Sequence, residues 1–588
     1  MRTSTNILVF AALLLSLASC KKVLEKRDLG SLQGDLVFSD SVLARTYVDY
    51  IYDQNLPSWG GNANLTDETF GESKYFEGTL TNRDVTDFGT ALANNNNYAK
   101  IRTMNMFFDE IDKGTLTETW KNKLKGQVYF FRAYRYFELV KLYGGVPLVL
   151  TPQDAVGVEA KEAAYIPRNK TSETIAQIVK DLDMAIALLP GRWMDENNDW
   201  GRVTSGTAAA MKGRALQLWA SPIFNPTGLT ERWQAAYDAA LQAKTILSEN
   251  GYGLNTSFEN MWFQEKGNPE AVFITGYNNS TADQARKNNG YDNATRPALY
   301  GTAGGSNQPT RELVDAFPMK DGKMVGSSTK YVYDPQLFYK NRDPRFDKTI
   351  GFNGATWPLN GIATNKVWTY YVGNKSEEAK PTSTGFYTRK AIDPAVAAGN
   401  VQYSGTDWME IRYAEVLLNL AEAAAAINKP EEAYAELIAI RTRAGIEAGD
   451  DNMYGLQPNM TSEQLIQAIL YERQIEFAFE GKRYWDLRRY KMFETLLNGK
   501  TRTGSVITFK PSADVPDAAT FKAQRDGVIP LDKAYSENFT ITSKILDTRY
   551  TVNWKPEYYF LPLPEQALIN NPKLQQNNTW GGTFDPLL

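Results

Sequence analysis

The feature that most restricts this chain is a helix of carboxylates running straight into a cluster of arginines. The segment "TSEQLIQAILYERQIEFAFEG" (461–481) opens with a capping box, Thr461 with Gln464, and keeps the apolar spacing of a helix. It sets Glu472, Glu476 and Glu480 at successive four-residue steps, so the three share one face. The chain turns at Gly481. "EGKRYWDLRRYK" (480–491) then carries five cationic and three aromatic side chains in twelve positions. Basic residues interleaved with aromatics are also the pattern of a nucleic-acid groove. Two observations argue against that use. The carboxylate stripe would repel a phosphate backbone, and 64 Lys and Arg against 68 Asp and Glu give a net charge of −4, not a basic excess. Ion pairing inside the protein fits both, so Glu472, Glu476 and Glu480 are expected to pair with the neighbouring Arg483, Arg488 and Arg489. Tyr484, Trp485, Leu487 and Tyr490 then read as packing residues of a second helix, in a stretch that touches no ligand and no nucleic acid.

Other blocks carry the same helical period. They are "WKNKLKGQVYFFRAYRYFELVKLYG" (120–144), stopped by Gly144-Gly145, and "TSETIAQIVKDLDMAIALLP" (171–190), capped at Thr171 or Ser172. "TSGTAAAMKGRALQLWA" (204–220), "ERWQAAYDAALQAKTILSENG" (231–251) and the pair "IRYAEVLLNLAEAAAAINKPEEAYAELIAIRTRAG" (411–445) complete the set. Ala at close-packing positions beside Leu and Tyr is the pattern of tetratricopeptide helix pairs, and Ala-rich amphipathic helices in general share it. Between these blocks, residues 55–98 and 252–408 are rich in Gly, Asn, Thr and aromatics, with "AVFITGY" and "KVWTYYVG" as short strands. Loops this long on a helical scaffold point to function. The expected organisation is one domain over 41–588, with helical blocks near 100–250 and 408–495.

Two absences narrow the chemistry. No His occurs, which removes imidazole proton shuttles, histidine-based nucleophilic dyads and the commonest zinc ligand. The single Cys, Cys20, cannot form an internal disulfide. It closes "LASC" after the apolar run Ile7 to Ala18, the form of a bacterial lipoprotein signal. Residues 1–19 are therefore expected to be a signal peptide, Cys20 the lipidated residue and 20–40 a tether; two or three acyl chains hold a protein stably on a membrane surface. A carboxylate-based glycoside hydrolase is still open to such a chain. No catalytic pair stands out: Asp181 and Asp183 read as solvent-facing, and arginines near Glu472 and Glu476 would lower their pKa values. "DVTD" (84–87) offers hard oxygen ligands without EF-hand spacing, so neither a metal nor a cofactor is assigned.

"YERQIEFAFEGKRYWDLRRYK" (471–491) closely resembles the C-terminal signature of the SusD/RagB family of outer-membrane lipoproteins. "FRAYRYFELVKLYGGVPL" (131–148), "GRVTSGTAAAMKGRALQLWASP" (201–222), "NRDPRFDKTI" (341–350), "IRYAEVLLNLAEA" (411–423) and "YYFLPLPEQALINNPKLQQN" (558–577) carry further marks in order along nearly the whole chain. The resemblance implies a mainly α, SusD-like fold: an α-helical scaffold of four tetratricopeptide-like helix pairs with a loop-rich, minor-β half that binds ligand. It also implies a lipid-anchored outer-membrane protein facing the cell exterior. Such a protein captures a glycan, or sometimes a peptide, for a SusC-like TonB-dependent transporter. Two positions depart from the family. Lys482 stands where His is common, and Lys21-Lys22 follow Cys20 where many surface lipoproteins have acidic residues. A scaffold that only binds partner proteins is the remaining alternative.

Glycan capture needs flat aromatic faces against sugar C–H surfaces, with amides and guanidinium groups for the hydroxyls. Helical positions assign Trp120, Trp219 and Trp485 to the core. The ligand-binding candidates are loop aromatics: Trp59, Tyr75, Tyr291, Tyr300, Trp357, Trp368 and Tyr370. Asn62, Asn82, Asn293 and Arg296 are their polar neighbours. Each ring has an equally good structural use, folded onto the core.

Overall fold

The computed structural model describes residues 34–60, 63–84, 97–153, 156–279, 288–301 and 304–588. The expected signal peptide, Cys20, most of the tether and Asn62 lie outside the described residues.

Ten helices build the scaffold: α1 (Ser41–Asn55), α2 (Asn97–Glu110), α3 (Glu118–Tyr143), α4 (Thr171–Leu188), α5 (Ser205–Ala220), α6 (Thr230–Glu249), α7 (Tyr413–Ala426), α8 (Pro430–Ala444), α9 (Ser462–Glu476) and α10 (Lys482–Arg489). They stack in series. α1 and α2 lie on α3, α3 on α4, α4 on α5, α5 on α6, α6 on α7, and α7 on α8 and α9. Small side chains explain the closest pair. Gly213 of α5 faces the backbone of Ala240 in α6, where an added Cβ would lie 3.4 Å from the Ala240 Cα. α3 is buried nearly all round and ends where it must: Gly144 has φ 76°, and a Cβ on Gly145 would sit 2.0 Å from the Asn169 carbonyl oxygen. No helix among the described residues is long and apolar enough to cross a membrane.

Strands are few. β1 (Ala271–Thr275) pairs antiparallel with β4 (Trp408–Arg412), and β4 runs directly into α7. β2 (Tyr371–Val372), β3 (Lys375–Ser376), β5 (Thr503–Phe509) and β6 (Phe539–Ile545) form a sheet of order β6-β5-β2-β3, with only β5 and β2 parallel. The main apolar core lies among the helices. A second, aromatic core around Phe338, Phe346, Phe386, Phe521 and Phe539 holds the loop-rich half together.

The expected pairing of α9 with the next segment takes a different form. Glu472 meets Arg345 and Arg441, each at 2.7 Å. Glu476 meets Arg345 and Arg412 at 2.7 Å and also Arg443. Glu480 meets Arg412 at 2.8 Å and Lys390 at 2.5 Å. All are buried. Arg483 instead forms a bidentate pair with Asp67 at 3.0 and 2.8 Å, and Arg489 pairs with Glu422 and Asp486. Arg488 has no ion-pair partner among the described residues: it donates to the carbonyls of Tyr558, Tyr559 and Lys141 and to the Tyr484 hydroxyl, and lies over the Tyr484 and Trp485 rings. The cause is local. α9 ends at Glu476, so Glu480 does not share a helical face with Glu472 and Glu476 as expected; Phe479 and Gly481 have φ 65° and 70°, and the chain changes course on both sides of Glu480 before it reaches the arginines. Burial alone would raise the Glu472 and Glu476 pKa values, but the surrounding arginines outweigh it and hold both below the usual carboxylate range.

Three further expectations are corrected. Asp181 is buried, not solvent-facing, because Arg132 of α3 clamps it through two 2.7 Å bonds. Trp120 is 42% exposed at the start of α3, where the helix has not yet reached the core. The cap of α4 falls at Lys170, whose backbone N–H donates to Glu173. Trp219 and Trp485 are half-buried against the main core.

Candidate functional site: a cavity beside Trp59

A cavity of about 270 Å³ lies where the helices meet β4 and the Pro57–Gly60 segment. One wall is a single face of α3, Tyr134, Phe137, Glu138 and Lys141, at helical spacing. α5 supplies Arg214, Gln217 and Leu218. Trp408 and Glu410 come from β4 and Glu415 from α7. The fourth wall is the stretch expected to touch no ligand: Glu480, Lys482, Trp485, Asp486 and Arg489 all line the cavity.

Trp59 forms the rim. Its indole stacks on Tyr291 at 4.3 Å and 15°, leans on Trp408 at 5.1 Å, and donates to the Thr406 carbonyl at 3.3 Å. Gly60 makes this approach possible, since a Cβ there would come within 2.9 Å of the Trp408 ring.

The charged walls are already paired with one another. Arg214 donates to both Glu415 oxygens at 2.7 Å and to Glu410 at 2.6 Å. Lys482 lies 3.3 Å from both carboxylates. Lys141 pairs with Glu138 and covers the Trp485 ring at 4.0 Å. Asp486 bridges Arg473 and Arg489 at 2.8 Å each. The lining holds five cations (Lys141, Arg214, Arg473, Lys482, Arg489) and five carboxylates (Glu138, Glu410, Glu415, Glu480, Asp486), so its charges cancel. Burial pulls the Lys141 pKa down, and Glu138 offsets only part of that. Burial would raise Glu410, Glu415 and Asp486, yet their cationic neighbours hold all three below the ordinary range.

Of the sequence candidates, Trp59 lines the cavity and Tyr291 backs it. Tyr300 is half-buried, its hydroxyl donating to Asn365 at 2.9 Å, and Asn293 is half-buried near it in sequence. Tyr75 stacks on Trp554 at 5.6 Å against the main core. Asn82 is exposed in a separate groove with Arg83, Leu563 and Gln576, whose described lining includes no aromatic ring. Four candidates have no surface for a ligand. Arg296 is fully buried, clamped by Asp292 and by the Asp393 and Val396 carbonyls. Trp357 and Tyr370 are 1% exposed, and Trp368 is buried with its N–H on Asp526 at 2.8 Å. These three rings face apolar cores assembled from distant segments. Trp408, Arg214 and Lys141 went unnoticed. For Arg214 and Lys141 the one signal is a charge on a helix face otherwise buried; Trp408 lies on β4 and carries none.

Helices stacked in series and a loop-rich half with short sheets define a mainly α protein with a polar cavity where the two parts meet. The chain belongs to the SusD family, whose model matches residues 269–580. Residues 54–216 match a second model described as starch-binding, associating with the outer membrane. SusD-like protein P2 of Formosa agariphila is 24% identical over 553 residues, covering 89% of this chain and 95% of that protein. The crystal structure of a SusD-like protein from Bacteroides fragilis superposes with a TM-score of 0.70 at 26% identity, covering 92% of this chain and 98% of that one. A SusD-like carbohydrate binding protein from the same species gives 0.67 at 22% identity, covering 91% and 99%.

Proposed function

We propose that this protein is a lipid-anchored outer-membrane protein that captures a glycan at the cell surface and delivers it to a SusC-like TonB-dependent transporter. The observation carrying this reading is the stacked Trp59–Tyr291 platform at the rim of a charge-balanced cavity. A ring face and a wall of donors and acceptors are what a polyhydroxylated ligand requires. The family membership, the starch-binding description of the second family model and the carbohydrate-binding relative support it. Binding without turnover is the expected mode. Glu410, Glu415 and Asp486 lack the raised pKa that a general acid needs for glycoside hydrolysis. Of the sequence candidates, Trp59, Tyr291 and Tyr300 are the ligand contacts proposed here.

Calorimetric titration against a panel of soluble polysaccharides, with a peptide mixture as control, tests the ligand class. Binding to peptides alone would sink the glycan reading and favour peptide capture. Cys20→Ala tests the anchor: the variant is expected in the soluble fraction, and retention in the outer membrane would refute lipidation at that residue.

A further inference from the structure

We infer that the cavity takes the end of an uncharged glycan chain, not a uronate or sulfated chain and not a long internal run. This rests on the reading of the protein as glycan-binding and names the kind of glycan.

The first argument is electrostatic. Every cation on the wall has a carboxylate within ion-pair distance, and Arg214 is held by two. No guanidinium or ammonium is left over for an acidic sugar, so an incoming carboxylate or sulfate gains a cation only by competing with the carboxylate already paired to it. Repulsion between like charges rises steeply at low dielectric. A hydroxyl suffers none of this, since it donates to a carboxylate lone pair and accepts from a guanidinium N–H at once. Glu138, Glu410 and Arg214 keep 13 to 18% of their side-chain surface exposed, which leaves them reachable.

The second argument is shape. The volume of about 270 Å³ sits at the small end of ligand sites, near the lower bound of about 300 Å³. Walls from α3, α5, β4 and α10 line it, and Ser58, beside Trp59, is the one lining residue that is exposed. Lys141 already occupies a face of Trp485, and Trp59 has one face on Tyr291, so the half-buried remainder of the Trp59 indole is the ring surface at the entrance. A recess of this kind admits a chain end and stacks the next sugar on the rim.

The test uses the full chain and calorimetry with neutral gluco-, manno- and galacto-oligosaccharides and with oligogalacturonates and sulfated galacto-oligosaccharides, each from disaccharide to octasaccharide. The expected result is binding within the neutral set, a plateau in affinity by the trisaccharide, and acidic chains weaker by about tenfold or more. Glu138→Gln leaves Lys141 without its carboxylate and is expected to narrow the neutral-over-acidic ratio by about threefold. Equal or tighter binding of acidic chains, affinity climbing through the octasaccharide, or a ratio unmoved in a folded Glu138→Gln protein would overturn the inference while leaving glycan capture standing. Binding of neither class by the folded protein would overturn glycan capture itself.

Discussion

Glu68 is a buried carboxyl placed to make the protein less stable as pH rises. It is 0% exposed; one oxygen accepts the Phe479 backbone N–H at a long 3.4 Å, and the other has no hydrogen-bond partner among the described residues. Burial first, and the charge of Asp67 second, push its pKa up to about 8. Between its ordinary value and 8 the folded protein holds a proton that the unfolded chain has lost, so stability falls with increasing pH. Its full contribution is present below the unfolded pKa and is lost as pH climbs through the folded one. At about 1.4 kcal/mol per pH unit, raising the pH from 5 to 7.5 costs about 3 kcal/mol. Glu68→Gln removes the titration while keeping the shape. Unfolding free energies from urea titrations of both proteins at the two pH values isolate the effect, because any pH-independent cost of the amide cancels in the comparison. The glutamine protein is expected to gain about 3 kcal/mol on the parent between pH 5 and 7.5. A difference that does not change with pH would refute the assignment of a neutral Glu68.

The cavity and the cores make separable predictions. Trp59→Ala is expected to lower glycan affinity about tenfold or more at a stability cost of about 1 to 3 kcal/mol, because its ring also packs on Tyr291 and Trp408, whereas Trp357→Ala is expected to cost about 3 to 5 kcal/mol of stability with affinity unchanged; calorimetry and urea unfolding together read both, and the reverse pattern would exchange their roles. Gly60→Ala, whose Cβ would press on Trp408 at 2.9 Å, is expected to displace Trp59 and weaken binding, at a stability cost of about 1 to 3 kcal/mol; an unchanged affinity would show that the rim tolerates movement. Arg412→Met leaves Glu270 with Arg443 and Glu480 with Lys390 but takes a second cation from each, and is expected to destabilise by about 1 to 3 kcal/mol, measured by urea unfolding.

The helices could be read from the sequence because their signals are local. The Thr461–Gln464 box, the Gly144-Gly145 stop and the Ala-rich face of α5 each act within a few residues. The carboxylate stripe of α9 was legible as buried charge for the same reason. Its partners were not, since Arg345 lies 131 positions before Glu476 and the nearest arginines follow a left-handed turn. The same limit explains the site candidates. Trp368 and Tyr370 sit in a sequence that looks like loop, but Phe521 and Phe539, which enclose them, arrive about 150 residues later in the chain. Asp181 looked solvated because Arg132 belongs to another helix, 49 positions away. Trp59 stood out through its Gly-rich setting, and that same setting lets its ring reach the cavity.

The stripe on α9 also sets where this chain can be recombined. The stretch 346–389 begins just after Arg345 and ends just before Lys390, and both of these cations meet α9-side carboxylates, Arg345 at Glu472 and Glu476, Lys390 at Glu480. The scaffold therefore grips the insert by its two ends. A chimera that exchanges those forty-odd residues between relatives needs to preserve an arginine at one junction and a lysine at the other, and needs to carry its core rings with it, because Phe346, Trp357, Trp368 and Tyr370 of this stretch are buried. Buried charge, usually discussed as a burden on stability, here acts as a pair of standard fittings at the ends of an exchangeable segment.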